Sequence, residues 1–353
     1  MKKTNISALL LAALLLIQLL CAPVSAVTAE PAADAQADAQ TASDNSAGDA
    51  AAEADSVPED QLLSSREQFS VAAKAALLID LNTNRVVYEQ DADERVYPAS
   101  LTKIMTCLIA LENGNLSDVV TVSESALADL DEDSSVAGLV VGEQMTLENL
   151  LYCMMVVSGN DACNVIAEHV AGSVTDFVRM MNQRAYELGC TNTHFNNPHG
   201  LHDESHYTTA RDLAIITQAA LKSENFRQIV DTYEYKLPDD NMRQNIPKLK
   251  TTNMLIYQSM SNSLYYPRAH GIKTGYTSQA GRCVISEATG DGLDLLGIVC
   301  GAATTVLDSG DLLMENFTEC ARLFDYGFDN YSYLTLMSPL CPVDQVKITN
   351  SAG

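Results

Sequence analysis

The sequence has 353 residues, which is enough for one large domain or two small ones. Hydrophobic residues make up 47% of the chain and the mean hydropathy is near zero, which excludes a protein with several membrane spans. The chain has 46 acidic and 21 basic residues, so its net charge of −25 argues against a nucleic-acid partner.

The first 26 residues have the three-part pattern of a secretory signal peptide. Lys2 and Lys3 precede an apolar run over residues 9–20, and Val24 and Ala26 are the small residues that a signal peptidase needs. The apolar run is short for a membrane span, although a retained signal anchor is the alternative. We therefore expect cleavage after Ala26 and export, with the folded protein in the cell wall or at the outer face of the membrane.

Residues 27–63 contain nine acidic residues, no basic residue and no aromatic residue. Such a segment cannot bury enough apolar area to offset the entropy lost on ordering, so we predict a disordered acidic linker. We predict a catalytic domain at 64–330. Residues 331–353 are then a short C-terminal tail or the start of a truncated second domain.

Within 64–330, strand patterns come first. The β-prone runs 75–81 and 85–89 flank Asn82-Thr83-Asn84 and predict a hairpin. Apolar residues at helical spacing then predict five helices in succession, at 100–113, 146–157, 161–171, 175–188 and 209–221.

Strand patterns return after Pro247, at 271–276, 282–288 and 293–300. Thr289-Gly290-Asp291-Gly292 joins the last two strands as a second hairpin, and a final helix is predicted over 311–326. The sequence thus predicts an α+β protein, with an antiparallel sheet flanked by helices and an inserted, mainly helical subdomain.

Ser100 and Lys103 lie three residues apart at the start of the first predicted helix. At this spacing the two side chains share one face of the helix, so the lysine amine can reach the serine hydroxyl. A serine becomes a nucleophile when a base takes its proton, and a neutral lysine of lowered pKa can be that base. The pair favours Ser100 as a nucleophile and Lys103 as its general base, although the same two residues also occur by chance at solvated helix starts.

Two further motifs follow along the chain. Ser158-Gly159-Asn160 lies in a break between two predicted helices, and Lys273-Thr274-Gly275 lies on a predicted strand. Side chains alternate along a strand, so Lys273 and Gly275 face one way and Thr274 the other. Glycine lets a ligand backbone approach, and the lysine and threonine can hold a carboxylate.

The three motifs, in this order, resemble those of penicillin-binding proteins and serine β-lactamases. The strings around them, together with Asn197-Pro198-His199-Gly200-Leu201, are similar to the low-molecular-mass penicillin-binding proteins that act as serine-type D-alanyl-D-alanine carboxypeptidases. The similarity extends over about residues 72–328 and implies a β-lactamase/DD-peptidase-like fold.

This resemblance implies that Ser100 attacks the bond between the two terminal D-alanines of a peptidoglycan stem peptide. Lys103 would be the general base, and Ser158 would act with them as a third catalytic residue. β-Lactams would acylate the same serine as covalent inhibitors, no metal or cofactor is expected, and peripheral association with the outer face of the cytoplasmic membrane is expected. The substrate would contact Asn160, Lys273, Thr274, Gly275 and Tyr276, and the N–H groups of Ser100 and Tyr276 would form an oxyanion hole.

One position departs from the resemblance. Many relatives carry an arginine near the substrate carboxylate at the start of the last helix. Counting back from Gly327-Phe328 places Asn316 there. The residue that holds the carboxylate therefore stays open, with Arg282 as a candidate.

Three alternatives also stay open. A class A β-lactamase carries Glu-x-x-x-Asn between the second and third motifs, and no glutamate in that stretch has an asparagine four residues later. A zinc peptidase could use the closely spaced His199, His202 and His206, although their spacing does not match the common helical zinc motifs. A non-catalytic module that binds the cell wall is the third alternative.

Nine cysteines occur in the chain. Cleavage after Ala26 would remove Cys21 and leave eight, and an even number in an exported protein favours disulfides. Cys107, Cys153 and Cys163 lie in apolar helical segments, however, which favours buried small hydrophobic residues. Cys283 and Cys300 would lie opposite one another if the second hairpin turns at Asp291-Gly292.

Overall fold

Strands from both ends of the described chain form one five-stranded antiparallel sheet. The computed structural model describes residues 69–128, 130, 134–306 and 312–333. With strands numbered in chain order, the sheet has the order β2-β1-β9-β8-β7, comprising Ala75–Asp80 (β1), Arg85–Gln90 (β2), Ala269–Thr277 (β7), Gly281–Gly290 (β8) and Leu293–Ala302 (β9). Within the described residues β7 is an edge strand, so one side of its backbone is free of a strand partner.

Both predicted hairpins are confirmed. β1 and β2 pair antiparallel around the turn at 81–84. β8 and β9 turn at Asp291-Gly292, because Gly290 pairs directly with Leu293. Asp291 and Gly292 have φ of 52° and 84°, the positive values that a two-residue hairpin turn of type I′ requires.

A mainly helical insertion separates β2 from β7. It begins with a 3-10 helix at Ala99–Thr102 and continues with α1 (Lys103–Asn113), α2 (Glu124–Ala128), α3 (Leu147–Val156), α4 (Asn160–Ala171), α5 (Val174–Glu187), α6 (Ala210–Ala220) and α7 (Glu224–Val230). The insertion also holds two short ribbons, formed by Val119–Thr121 (β3) with Gln144–Thr146 (β4) and by Glu234–Tyr235 (β5) with Leu249–Lys250 (β6). After the sheet come Thr304–Val306 (β10), Leu312–Met314 (β11) and α8 (Glu315–Asn330).

Polar caps determine where several of these helices begin. Each capping side chain accepts a hydrogen bond from a backbone N–H three residues later, at Thr146, Ser173, Thr209 and Ser223. The first three caps begin helices that the sequence predicts to within two residues. A cap of this kind marks the start of a helix more sharply than the apolar pattern does.

Strand β1 is buried on both faces, and this explains its apolar run. Leu77 and Ile79 belong to the core between the sheet and the helical insertion. Ala76 and Leu78 face the opposite way, into the core that α8 covers. A strand covered on both faces needs apolar residues at successive positions rather than at alternate ones. These layers confirm the predicted α+β architecture.

The helix predicted over 100–113 begins in a different way from the prediction. Ala99 has a φ of 47°, and residues 99–102 form the 3-10 helix before α1 starts at Lys103. A 3-10 helix has three residues per turn, so side chains three positions apart lie one above the other. The face that Ser100 and Lys103 were predicted to share is therefore present.

The described cysteines are all buried and form no disulfide: Cys107, Cys153, Cys163, Cys190, Cys283, Cys300 and Cys320. The interpretation of Cys107, Cys153 and Cys163 as buried small hydrophobic residues is therefore confirmed. Cys283 lies at an irregularity in the pairing of β8 with β9, between Arg282 and Val284, and it forms no disulfide with Cys300.

The predicted signal peptide at 1–26 and acidic linker at 27–63 lie outside the described residues, as does the tail beyond residue 333. These assignments stay predictions. Within the described part of the chain, no helix is both long enough and apolar enough to cross a membrane.

Candidate active site

Ser100 lies in the 3-10 helix, with its hydroxyl beside the amine of Lys103. Lys103 Nζ donates a hydrogen bond to Ser100 Oγ across 2.9 Å. The edge strand β7 comes next to this helix at Gly275, where an added Cβ would lie 3.1 Å from Ser100 N. Glycine at this position therefore lets the strand backbone approach the serine.

Lys103 is fully buried, and its amine contacts three acceptors. Besides Ser100 Oγ, Nζ donates to Asn160 Oδ1 across 2.7 Å and to the carbonyl oxygen of His199 across 2.8 Å. Burial lowers the pKa of Lys103 to about 8, because the charged form loses its hydration. The site therefore holds an amine that releases its proton close to neutral pH.

The second motif forms the connection between α3 and α4. Ser158 has a φ of 64°, a conformation uncommon for a residue other than glycine. Ser158 and Ser100 line the same cavity. Asn160 N donates to Ser135 O across 2.8 Å, so the preceding segment of the insertion is held beside the motif.

Asp161 fastens the same segment from the first turn of α4. Its two carboxylate oxygens accept hydrogen bonds from Ala137 N at 2.9 Å and Leu139 N at 3.0 Å. These contacts hold the segment that contains Ser134 and Ser135, and both serines line the cavity.

The third motif lies on β7. Lys273 is buried, and burial together with the charge of Lys103 holds the pKa of Lys273 well below its usual range. Its Nζ donates to the carbonyl oxygen of Thr274 across 3.1 Å. Thr274 Oγ1 lies 2.6 Å from Thr252 Oγ1, and Tyr276, which lines the cavity, is 59% exposed.

A cavity of about 320 Å³ joins the three motifs. All the predicted site residues except the two buried lysines line it, along with Ser134, Ser135, Thr252, Arg282 and Asn316. A larger cavity of about 670 Å³ lies between α1 and α5. It contains no motif residue and no nucleophile with a base beside it, so the smaller cavity is the candidate active site.

Three contributors to this site were not predicted from the sequence. The His199 carbonyl oxygen is a ligand of the Lys103 amine, and a backbone acceptor leaves no trace in side-chain patterns. Ser134 and Ser135 line the cavity, and Asp161 holds their segment through hydrogen bonds. These contacts join residues far apart in the sequence, so only the structure shows them.

The histidines proposed for the zinc alternative serve other contacts. His206 Nδ1 accepts from Asn196 N across 3.1 Å, so its Nε2 carries the proton and donates to Thr102 Oγ1 across 2.8 Å. His199 Nδ1 accepts from Leu201 N across 3.2 Å. Burial lowers the pKa of His206 to about 4 and that of His199 to about 3, so both rings are neutral near pH 7. No group of three potential ligands among the described residues has the geometry of a metal site.

Comparison with known proteins points to one family. The sequence model of the D-alanyl-D-alanine carboxypeptidase family (peptidase family S11) matches residues 62–304. D-alanyl-D-alanine carboxypeptidase DacF of Bacillus subtilis is 37% identical over 284 residues, which cover 78% of this chain and 67% of that protein. DacC of Escherichia coli is 33% identical over 278 residues, which cover 76% of this chain and 64% of that protein. The chain thus spans about two thirds of the length of these relatives.

Solved structures agree with the sequence relatives. The Streptomyces K15 DD-transpeptidase superimposes with a TM-score of 0.65 at 30% identity, covering 74% of this chain and 98% of that one. Penicillin-binding protein 5 of Haemophilus influenzae superimposes with a TM-score of 0.63 at 32% identity, covering 74% of this chain and 72% of that one. The α+β fold predicted from the sequence is therefore the fold of these DD-peptidases.

Proposed function

The chain belongs to the D-alanyl-D-alanine carboxypeptidase family, and from this premise we propose that it removes the terminal D-alanine from peptidoglycan stem pentapeptides. The reaction passes through an acyl-enzyme on Ser100. The observation that carries the proposal is the position of Lys103, a buried amine of lowered pKa in hydrogen-bond contact with the Ser100 hydroxyl.

The acceptors around Lys103 set the direction of the first proton transfer. The carbonyl oxygens of Asn160 and His199 can only accept, so they hold the two N–H groups that remain on the neutral amine. The lone pair of the amine is then left for Ser100, whose hydroxyl donates to it. The geometry therefore supports proton transfer from Ser100 Oγ to Lys103 Nζ.

Acylation then forms one bond and breaks another. As Lys103 takes the proton, Ser100 Oγ bonds to the carbonyl carbon of the penultimate D-alanine, and the carbonyl electrons move onto its oxygen. The C–N bond breaks as the tetrahedral intermediate collapses, and the leaving nitrogen gains a proton from the Lys103–Ser158 side of the cavity. The backbone N–H groups of Ser100 and Tyr276 stabilise the negative charge on the carbonyl oxygen during this step, and free D-alanine departs.

Hydrolysis of the acyl-enzyme by water completes the cycle and restores the Ser100 hydroxyl. No aspartate or glutamate lines the cavity among the described residues, and no glutamate between the second and third motifs has the asparagine four residues later that a fast class A β-lactamase carries. We therefore expect β-lactams to acylate Ser100 and to be released slowly. Rapid hydrolysis of nitrocefin by the purified protein would favour the β-lactamase alternative.

We also propose that the protein works outside the cytoplasm, at the cell wall or at the outer face of the membrane. The support is the signal-like pattern of residues 1–26 and a substrate that lies in the wall. Amino-terminal sequencing of the protein from the cell envelope should find Val27 first. A protein that retains Met1 in the cytosolic fraction would contradict the proposal.

The decisive measurement is release of D-alanine from diacetyl-Lys-D-Ala-D-Ala, with mass spectrometry of the shortened peptide to identify water as the acceptor. Penicillin should abolish the release and EDTA should not. Replacement of Ser100 with alanine should abolish both the release and labelling by a fluorescent penicillin. Labelling that persists in the Ser100→Ala variant would overturn the assignment of the nucleophile.

A further inference from the structure

Both the proposed peptide substrate and penicillin carry a carboxylate at the end that enters the cavity, and the two buried lysines are poorly placed to neutralise it. Lys103 and Lys273 are 0% and 1% exposed, and neither lines the cavity. Their amines are engaged with acceptors inside the protein. A carboxylate bound in the cavity therefore needs a cation from another position.

Arg282 is the one lysine or arginine that lines this cavity among the described residues. The internal segments that the structure does not describe, residues 129, 131–133 and 307–311, contain no basic residue. A guanidinium carries a permanent positive charge and can donate two parallel hydrogen bonds to a carboxylate. Arg282 thus has the charge and the donor geometry that the ligand requires.

The sheet register places Arg282 next to the third motif. Arg282 on β8 pairs with Tyr276 on β7, so both side chains lie on the face of the sheet that Thr274 shares. The guanidinium lies 4.9 Å from the centre of the Tyr276 ring, and Nε donates to Thr304 Oγ1 across 2.5 Å. The stacked ring and the bound Nε fix the plane of the group, leaving its two terminal nitrogens to bind a ligand.

No acidic residue competes for this guanidinium in the described part of the chain. The ion pairs there involve other arginines, such as Arg211 with Asp93 and Arg227 with Glu287. An arginine that lines the cavity, and that forms no ion pair with any described carboxylate, has the donors to bind an external anion.

Asn316, in the first turn of α8, is unsuited to this task although it lines the same cavity. Its Nδ2 donates to the carbonyl oxygen of Cys283 across 3.2 Å, and this contact fixes the orientation of the amide. Its Oδ1 is buried without a hydrogen-bond partner in the structure. That oxygen is an acceptor and would repel a carboxylate.

We propose that Arg282 is the residue that binds the terminal carboxylate of the substrate and the carboxylate of β-lactams. The assignment rests on the proposed function, which supplies the anionic ligand. Arg282 acts from the strand next to the third motif, whereas Asn316 at the start of the last helix supplies no cation. Thr304 positions the guanidinium through its contact with Nε.

The experiment compares acylation of Ser100 by benzylpenicillin and by its uncharged methyl ester. Arg282→Gln should lower the second-order rate constant for the acid by roughly 10- to 100-fold, the range for losing a hydrogen bond to a charged group. The rate constant for the ester should change by less than about 2-fold, so the acid/ester ratio falls. Arg282→Lys should retain part of the ratio, because it keeps the charge but loses the paired donors.

Arg85→Gln is the matched control, because Arg85 is an exposed arginine on β2 at the opposite edge of the sheet. Its acid/ester ratio should equal that of the wild type, and all three variants should melt within a few degrees of it. An unchanged ratio in a folded Arg282→Gln variant overturns the assignment of Arg282 alone. A wild-type protein that no β-lactam acylates overturns the proposed function and, with it, the assignment.

Discussion

Two opposing effects determine the pKa of Lys103 in its site. Burial removes the hydration of the ammonium and favours the neutral amine, whereas three acceptors at 2.7–2.9 Å favour the charged form. Burial is the larger effect, since the pKa falls from 10.5 to about 8. Such a base is a compromise, because it is neutral often enough to take a proton and basic enough to hold it.

This balance predicts the pH dependence of acylation. With a pKa of about 8, only about one Lys103 in ten is neutral at pH 7, and the neutral fraction approaches one above pH 9. The second-order rate constant for acylation by benzylpenicillin should therefore rise about tenfold from pH 7 to a plateau above pH 9. Stopped-flow measurements across this range give the apparent pKa directly. A rate constant that is flat between pH 6 and pH 9 would contradict a neutral Lys103 as the base.

Replacing Lys103 with arginine tests the same base by removing its titration. The guanidinium keeps the positive charge but cannot give up its proton in this range. Acylation should fall by at least about 100-fold at pH 8, and the remaining rate should lose its rise with pH. Lys222→Arg serves as control, because this exposed residue at the end of α6 lies outside the cavity. Retention of the wild-type profile in Lys103→Arg would refute the assigned role.

For individual residues, the sequence indicates which side chains belong to the candidate site, but it does not indicate which backbone groups do. Ser100, Lys103, Ser158 and Lys273 can be found because their chemistry resides in the side chain and their spacing fits an element. The His199 carbonyl oxygen cannot, because every residue has the same backbone acceptor and only the fold decides which one meets the amine.

At the scale of elements, the 3-10 helix carrying Ser100 is held by a tight contact with the loop before α6. An added Cβ at Gly200 would lie 1.8 Å from the carbonyl oxygen of Ala99, and Gly200 has a φ of 91°. Only glycine fits both the contact and the conformation. The loop and the helix therefore position each other, and the same loop supplies the His199 carbonyl to Lys103.

Gly200→Ala should consequently damage the site as well as the stability. The clash must displace Ala99, the neighbour of Ser100, so acylation by benzylpenicillin should fall at least about tenfold. The melting temperature should fall by more than in a variant such as Gly172→Ala, where the added methyl group causes conformational strain but no clash. Differential scanning calorimetry and penicillin labelling on one preparation give both numbers.

Gly172→Ala separates the two causes. Gly172 ends α4 with a φ of 80°, but an added Cβ there meets nothing within 4 Å. This variant should lose about 1 kcal/mol of folding free energy from the strained conformation and keep wild-type acylation. Equal effects of the two substitutions would show that the contact between Gly200 and Ala99 does not position the serine.

The sequence predicts long elements with caps and fails on the shortest ones. Helices that start at Thr146, Ser173 and Thr209 carry their boundary signal in the capping side chain. The ribbons of β3 with β4 and of β5 with β6 have strands of only two or three residues, too short for any periodicity to register. The sequence also does not reveal the 3-10 helix at Ala99–Thr102. This helix packs against a distant loop at Gly200, and no local sequence preference marks it.

For the whole molecule, the negative net charge opposes the binding of an anionic ligand that Arg282 favours inside the cavity. The chain has a net charge of −25, and both the proposed peptide and penicillin bring a carboxylate to it. Residues 27–63 hold nine of the acidic residues, so much of the charge belongs to a segment predicted to be disordered. The general field of the protein repels the ligand during approach, whereas Arg282 attracts it at contact.

Salt should separate these two effects, because they act over different distances. The Debye length falls from about 30 Å at 0.01 M salt to about 8 Å at 0.15 M, so salt screens charges spread over the molecule before it screens a contact with Arg282. Acylation by benzylpenicillin should therefore become faster by roughly 2- to 5-fold over this range, the modest change expected when a long-range repulsion is screened. The methyl ester, which carries no charge, should react at nearly the same rate throughout. A benzylpenicillin rate constant that falls with added salt would mean that attraction near the cavity already dominates the approach.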